Sequence, residues 1–202
     1  MADEEPGAKP PDHGALDAVL RGYAAERRER PVAAGLAQSR VVRTERLTLL
    51  PVGLENLPDL IRLKADERVF GVMLHGVRTP QRTREELEDD IDFWQVRGYG
   101  TWAVHSLADE SFHGITGLME RPDGRGVALR FALWPEVRGQ GYAREAAGAA
   151  LAFGHRAGLA RIIGIARETN AASRGVLTGI GMKECGEYPY QGHRMLVFES
   201  VR

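Results

Sequence analysis

The stretch from Val127 to Ala157 constrains the fold more than any other part of the chain. It holds a β-rich run (Val127 to Trp134), a glycine loop (Arg138-Gly-Gln-Gly-Tyr-Ala143) and an alanine-rich helical pattern. A strand, a tight turn and a helix in that order need a sheet for the helix to fold back on. Ala143, Ala146, Ala147, Ala150 and Phe153 recur on one face, and small side chains let that face lie close to the sheet. Gly139 and Gly141 lack Cβ, so an anion can come up against the main chain. Backbone N–H groups at a helix start point outward at the positive end of the helix dipole. Arg138 adds a permanent positive charge. The segment reads as a phosphate cradle rather than a bare turn, for which one glycine would suffice.

Two nucleotide motifs are excluded. A Walker loop ends in Gly-Lys-Ser/Thr, which this loop lacks. The dinucleotide fingerprint needs a third glycine at position 144, where Arg144 stands.

The rest of the chain fits around this unit. Arg46 to Pro51 is a short strand, and Leu54 to Val69 has helical spacing with Pro58 in its first turn. A second helix starts at Thr79, with a capping-box pattern at Thr83 and Glu86, and Gly98 ends it. Tyr99 to Leu107, Phe112 to Met119 and Val127 to Trp134 read as a meander, its second turn being Arg121 to Gly126. After the alanine-rich helix come a strand (Arg161 to Ala166), a helix (Asn170 to Ile180) and two strands (Met182 to Tyr188, His193 to Val201). The order β-α-α-β-β-β-α-β-α-β-β predicts an α+β fold, a mixed, mostly antiparallel sheet flanked by helices. Residues 1–40 read as an extension: a Pro-rich start, an amphipathic helix (Leu16, Val19, Leu20, Tyr23) and a linker. Its apolar stripe offers a face either to its own domain, over a cleft there, or to a second subunit, as in a homodimer. The compact domain is expected at 41–202.

Composition excludes several classes. Lys and Arg number 27 against 28 Asp and Glu, for a net charge of -1, so a generally basic nucleic-acid binder is ruled out. Cys185 is the single cysteine, which excludes an internal disulfide and fits a reducing compartment. No apolar run approaches the ~20 residues that span a bilayer. The expected location is cytoplasmic, with neither membrane nor nucleic acid as partner. His105, His113, His155 and His193 lie on separate elements without helical ligand spacing, so no metal site is expected.

Arg138, Gly141 and Ala143 form R-x-x-G-x-A, which resembles the signature of the GNAT acetyltransferase superfamily. The longer string LWPEVRGQGYAREA (Leu133 to Ala146) is similar to its RimJ/RimL-type branch, as are TERLTLLP (Thr44 to Pro51), GYGTWAVH (Gly98 to His105) and ETNAASRGVLTGIGM (Glu168 to Met182). The resemblance implies an N-acetyltransferase that moves an acetyl group from acetyl-CoA to a primary amine. That amine is a protein N-terminal α-amine or a small molecule. Main-chain groups at Leu133 would bond the pantetheine arm. The amides of Arg138, Gly139, Gln140, Gly141, Tyr142 and Ala143 would hold the diphosphate. Asn170 would bond the cofactor arm, and Ser173 would point at the thioester sulfur. Asn170 is also a favoured helix N-cap. Where the branch often carries a Glu at the start of the strand before the loop, this chain has Ala128. Glu120, at the end of the preceding strand, is the replacement candidate for general base. Tyr188 and Tyr190 would be better proton donors than Ser173, but nothing in the sequence brings them to the sulfur. Ala128 also supports an alternative, a catalytically weak acyl-CoA-binding regulatory module.

Overall fold

The computed structural model describes residues 40–202 apart from Leu74. The expected arm and its helix at Leu16 to Tyr23 lie outside these residues. Strands β1 (Val42–Arg43) and β2 (Leu47–Pro51) lead into helices α1 (Leu57–Ala65), α2 (Glu67–Phe70) and α3 (Pro80–Arg97). The meander β3 (Thr101–Ser106), β4 (Phe112–Glu120) and β5 (Val127–Leu133) follows. Then come α4 (Tyr142–Arg156), β6 (Arg161–Arg167), α5 (Ala171–Gly179), β7 (Lys183–Tyr190) and β8 (His193–Val201). Among the described residues one sheet of eight strands results, in the order β1-β2-β3-β4-β5-β6-β8-β7. All pairings are antiparallel except β5 with β6. The expected mixed, mostly antiparallel sheet with flanking helices is what forms.

Local chemistry accounts for the boundaries. The stretch expected as one helix over Leu54 to Val69 is two, because Asp66 adopts an extended ψ of 116° and caps α2 by accepting from the Arg68 N–H. The cap of α3 is Thr79, whose hydroxyl accepts from the Arg82 N–H at 3.1 Å, with Pro80 in the first turn. The capping box expected at Thr83 and Glu86 does not form. Thr83 is buried one turn inside the helix, and Glu86 turns instead to Lys64 and Arg78. Strand β1 escaped the sequence reading because two residues carry no periodicity.

Two cores lie on opposite faces of the sheet. On one, Leu47, Leu49, Val104, Leu118 and Ile162 pack under α4, whose Ala146, Ala147 and Ala150 are fully buried. On the other, Ala103, Ile115 and Ala132 pack against Leu60, Leu63 and Leu87. Trp94, Trp102 and Phe153 close one side with edge-to-face contacts at 4.7, 5.0 and 6.1 Å. Both indole N–H groups are satisfied by backbone oxygens, Trp94 by Thr101 and Trp102 by Arg40, each at 2.7 Å.

Lys64 is 3% exposed and pairs with Glu86 at 2.8 Å, while Arg78 reaches the other oxygen at 2.7 Å. Burial opposes ionisation of Glu86, yet Lys64 and Arg78 outweigh it and hold the carboxyl at about 2, down from 4.5. The pair ties α1 to α3 and to the segment between α2 and α3. Glu86→Gln leaves a buried ammonium without its counter-charge and should cost about 3 kcal/mol at neutral pH. A depressed carboxyl stabilises above its unfolded pKa. The difference between wild type and variant in urea titrations should therefore be full above pH 4.5 and vanish as pH falls towards about 2.

Candidate functional site

The sequence places the loop directly after β5, and the sheet opens there. Strands β5 and β6 pair through Ala128 with Ile163 and Leu129 with Gly164, and no further. At Gly164 a Cβ would stand 2.5 Å from Leu177 of α5, so the absence of a side chain lets α5 sit directly on β6. Beyond this point β5 continues to Leu133 with only β4 beside it. Trp134 donates its N–H to His113 on β4 at 2.9 Å. Because successive residues turn their main-chain groups to opposite edges of a strand, Phe131 and Leu133 present N–H and C=O to the gap, where Leu133 O accepts from Arg138 Nη2 at 3.5 Å. Leu133 was anticipated from sequence, and Phe131 was not.

The loop closes the end of the gap. Pro135–Val137 form one turn of 3₁₀ helix, and the Arg138 N–H is used there, donating to Pro135 O at 3.1 Å. Gly139 and Gly141 follow with φ of 76° and 84°, a region that favours glycine. Gly141 is the N-cap of α4 and supplies no side-chain cap. The first bond of the helix is Glu145 N–H to Gly141 O at 3.0 Å. Consequently the consecutive N–H groups from Gly139 to Arg144 donate to no acceptor among the described residues. Nothing lies within 4 Å of where a Cβ on Gly139 would stand. The geometry is that of an anion site at a helix N-terminus.

The run of free amides differs in detail from the sequence expectation. It begins at Gly139, since the Arg138 amide is committed, and extends past Ala143 to Arg144. The Arg138 side chain turns towards α2, donating to Arg68 O at 2.9 Å. Gln140 donates from Nε2 to Glu136 O at 3.5 Å and contributes its backbone to the loop. Tyr142 packs its ring against His113 with centroids 4.9 Å apart and the planes tilted by 54°.

Asn170 and Ser173 stand at the start of α5, beyond the C-terminal end of β6. Asn170 is the N-cap, its Oδ1 accepting from the Ser173 N–H at 3.0 Å. The Asn170 NH2 and the Ser173 hydroxyl, both half-buried, bond no other group among the described residues. Glu120 lies at the other end of the meander, opposite Val127, the first residue of β5. Its carboxylate accepts from Arg97 Nη2 at 3.1 Å and from the Tyr99 hydroxyl at 3.2 Å, with Arg97 Nε 3.0 Å away as an ion contact. Tyr188 packs under the Arg125 guanidinium, 4.1 Å from ring centre, with Arg121 at 3.4 Å from its hydroxyl. Among the described residues no cluster of His, Cys, Asp and Glu could hold a metal ion.

The family model for the acetyltransferase (GNAT) domain matches residues 46–183, which span β2 to the start of β7 and include the whole loop. The chain belongs to this family. Comparison of the GNAT domain with other proteins agrees. The FsC-acetyl coenzyme A-N(2)-transacetylase of Aspergillus fumigatus is 29% identical over 154 residues, 69% of this chain and 63% of that protein. The chain thus spans less than two thirds of that relative's length. An acetyltransferase structure from Agrobacterium tumefaciens superposes with a TM-score of 0.71 at 23% identity, covering 86% of this chain and 99% of that one. RimL, a ribosomal L7/L12 α-N-protein acetyltransferase solved with coenzyme A, superposes at 0.69 with 19% identity, covering 80% and 97%. These likenesses establish the fold shared with RimL-type proteins.

A negative side chain in the GNAT cradle should oppose a diphosphate. Gly141→Asp should lower the affinity for coenzyme A at least tenfold, about 1.4 kcal/mol, by isothermal calorimetry on protein shown to be folded by its melting curve. Unchanged affinity would remove the loop from the site.

Proposed function

We propose that the chain is an acetyl-CoA-dependent N-acetyltransferase whose acceptor is an α-amine, with a protein N-terminus as the favoured class. The run of unpartnered N–H groups from Gly139 to Arg144 carries the cofactor assignment, since it offers a diphosphate a row of donors already turned outward. The open edge of β5 supports it, because a pantetheine arm carries amides that can pair with Phe131 and Leu133 as a missing strand would. The Asn170 NH2 is free to bond the same arm.

Bound there, acetyl-CoA supplies the acyl group: the acceptor nitrogen attacks the thioester carbonyl, the C–S bond breaks, and the amine proton ends on the departing thiol or solvent. Ser173 donates a hydrogen bond to the sulfur as negative charge develops on it. Glu120 is engaged by Arg97 and Tyr99 and sits at the far end of β5, so we assign it to anchoring the end of α3 rather than to base catalysis. Asp90, buried on α3, is likewise held by Arg130 at 2.9 and 3.1 Å. With Ala128 where the branch often has a carboxylate, the reading favours an acceptor already neutral without help. An α-amine with pKa ~7.7–8.0 is roughly a third neutral near pH 7.4, whereas a lysine at ~10.4 is about a thousandth neutral.

A thiol-release assay with acetyl-CoA against short peptides with free N-termini, N-blocked peptides carrying a lysine, and a panel of small amines tests the reading. Turnover with free N-termini and little with blocked peptides supports it. Tight coenzyme A binding without turnover on any amine would favour the binding module. Ser173→Ala should lower kcat by roughly 10- to 100-fold with little change in the KM for acetyl-CoA. Unchanged kcat would make Ser173 a helix residue only. Glu120→Gln should lower the melting temperature and leave the acid limb of the kcat–pH profile in place. A moved or lost limb would restore Glu120 as the base.

A further inference from the structure

The turn between β1 and β2 reaches across to the loop. Glu145, in the first turn of α4, accepts on Oε1 from the Thr44 hydroxyl at 2.6 Å and the Arg46 N–H at 2.9 Å. Its Oε2 accepts from Arg46 Nε at 2.8 Å, and Nη2 stands 2.7 Å from the same oxygen as an ion contact. The third guanidinium nitrogen, Nη1, donates to Gln140 O at 2.9 Å. The same guanidinium lies over the Tyr142 ring, 4.5 Å from its centroid, and Nη2 stands 3.4 Å from where a Gly141 Cβ would be. One arginine therefore holds the Gln140 carbonyl and the Tyr142 ring on either side of Gly141, together with Glu145 of the helix that follows.

Two physical effects follow. In a trans peptide the oxygen and the next N–H point to opposite sides. Holding Gln140 O on Arg46 turns the Gly141 N–H the other way, into line with the run of free donors. The second effect is electrostatic. A carboxylate in the first turn of α4 stands beside a site for a diphosphate and would repel it, and the paired guanidinium cancels that charge. Burial opposes ionisation of Glu145, but the bonds from Thr44 and Arg46 outweigh it and hold its carboxyl below the usual range. Glu145 is thus ionised at neutral pH.

We propose that Arg46 and Glu145, supported by Thr44, are positioning residues for acetyl-CoA: they fix the donor directions of the loop and cancel the carboxylate charge beside it. This inference rests on the reading of the loop as the acetyl-CoA site. It concerns residues about a hundred positions apart in sequence, and it makes the β1–β2 turn part of the cofactor machinery.

The test is calorimetric titration of coenzyme A into the wild type, Arg46→Met, Arg46→Lys, Thr44→Val and the double variant R46M/E145Q, with melting temperatures and steady-state kinetics beside it. Arg46→Met should weaken binding at least about tenfold and raise the KM for acetyl-CoA in parallel, with kcat changed by less than about threefold. Arg46→Lys keeps the charge but has a single nitrogen that cannot reach Gln140 O and Glu145 Oε2 together, so it should recover the loss only in part. The double variant should bind coenzyme A more tightly than Arg46→Met alone, because the uncompensated carboxylate is gone. A purely structural contact would lower melting temperature and kcat together and show no recovery in the double variant, and that result would overturn the proposal. So would near-wild-type affinity in both Arg46→Met and Thr44→Val. If Arg46→Met does not fold, Thr44→Val carries the test, with a loss of about threefold expected, since it removes one support of Glu145 and leaves the Arg46 bond to Gln140 O in place. A wild type that binds no coenzyme A would overturn the reading of the loop itself, an outcome separate from wild-type binding that the variants leave unmoved.

Discussion

Backbone N–H and C=O groups need partners, and the parting of β5 from β6 leaves a set of them without any. Among the described residues the two strands are the single parallel pair in the sheet, and they stay together for two residue pairs. A parallel pair forces a crossover helix between its strands, so the chain must leave β5, turn back as α4 and return as β6. The divergence and the loop therefore arise from one topological requirement. Gaps outside the carboxyl ends of parallel strands are where ligands bind in open sheets. Here the gap offers the β5 edge along its length and the start of α4 at its end.

Holding this opening in a fixed shape falls to packing on both faces. Fully buried Ala146, Ala147 and Ala150 bring α4 close to the sheet, which sets where its N-terminus stands. The Trp94–Trp102–Phe153 cluster joins α3, β3 and α4. The ion pairs divide by burial. Lys64–Glu86 is a buried pair whose loss leaves a costly orphan charge. Surface pairs such as Arg194 with Glu168 contribute little. Arg46–Glu145 lies between these, and its weight is in orienting one peptide of the loop.

Much of this was legible in the sequence because it depends on local pattern. The strand–loop–helix order, the small face of α4 and the two loop glycines follow from neighbouring residues, and so does the assignment of Asn170 as a helix cap. What escaped the reading was non-local or finely geometric. Glu86 in a Thr-x-x-Glu pattern reads as a cap, and only the position of Lys64, on another helix, shows that it serves a buried ion pair. Glu120 has the right residue type for a base, and only its bonds to Arg97 and Tyr99 show that it is engaged. Thr44 and Arg46 stood in a quoted motif, yet their partner Glu145 lies far along the chain, and no periodicity links them. The Arg138 amide was expected to face the ligand, whereas a 3₁₀ turn consumes it.

The central claim is that the free N–H groups from Gly139 to Arg144 receive the diphosphate of acetyl-CoA. Residue-resolved amide hydrogen exchange, with and without saturating coenzyme A, tests it directly. Without ligand these amides should exchange rapidly, since they lack acceptors. With coenzyme A they should slow by at least about tenfold, together with Phe131 and Leu133 on the open strand edge. Protection that appears elsewhere while Gly139 to Arg144 continue to exchange freely would contradict the account.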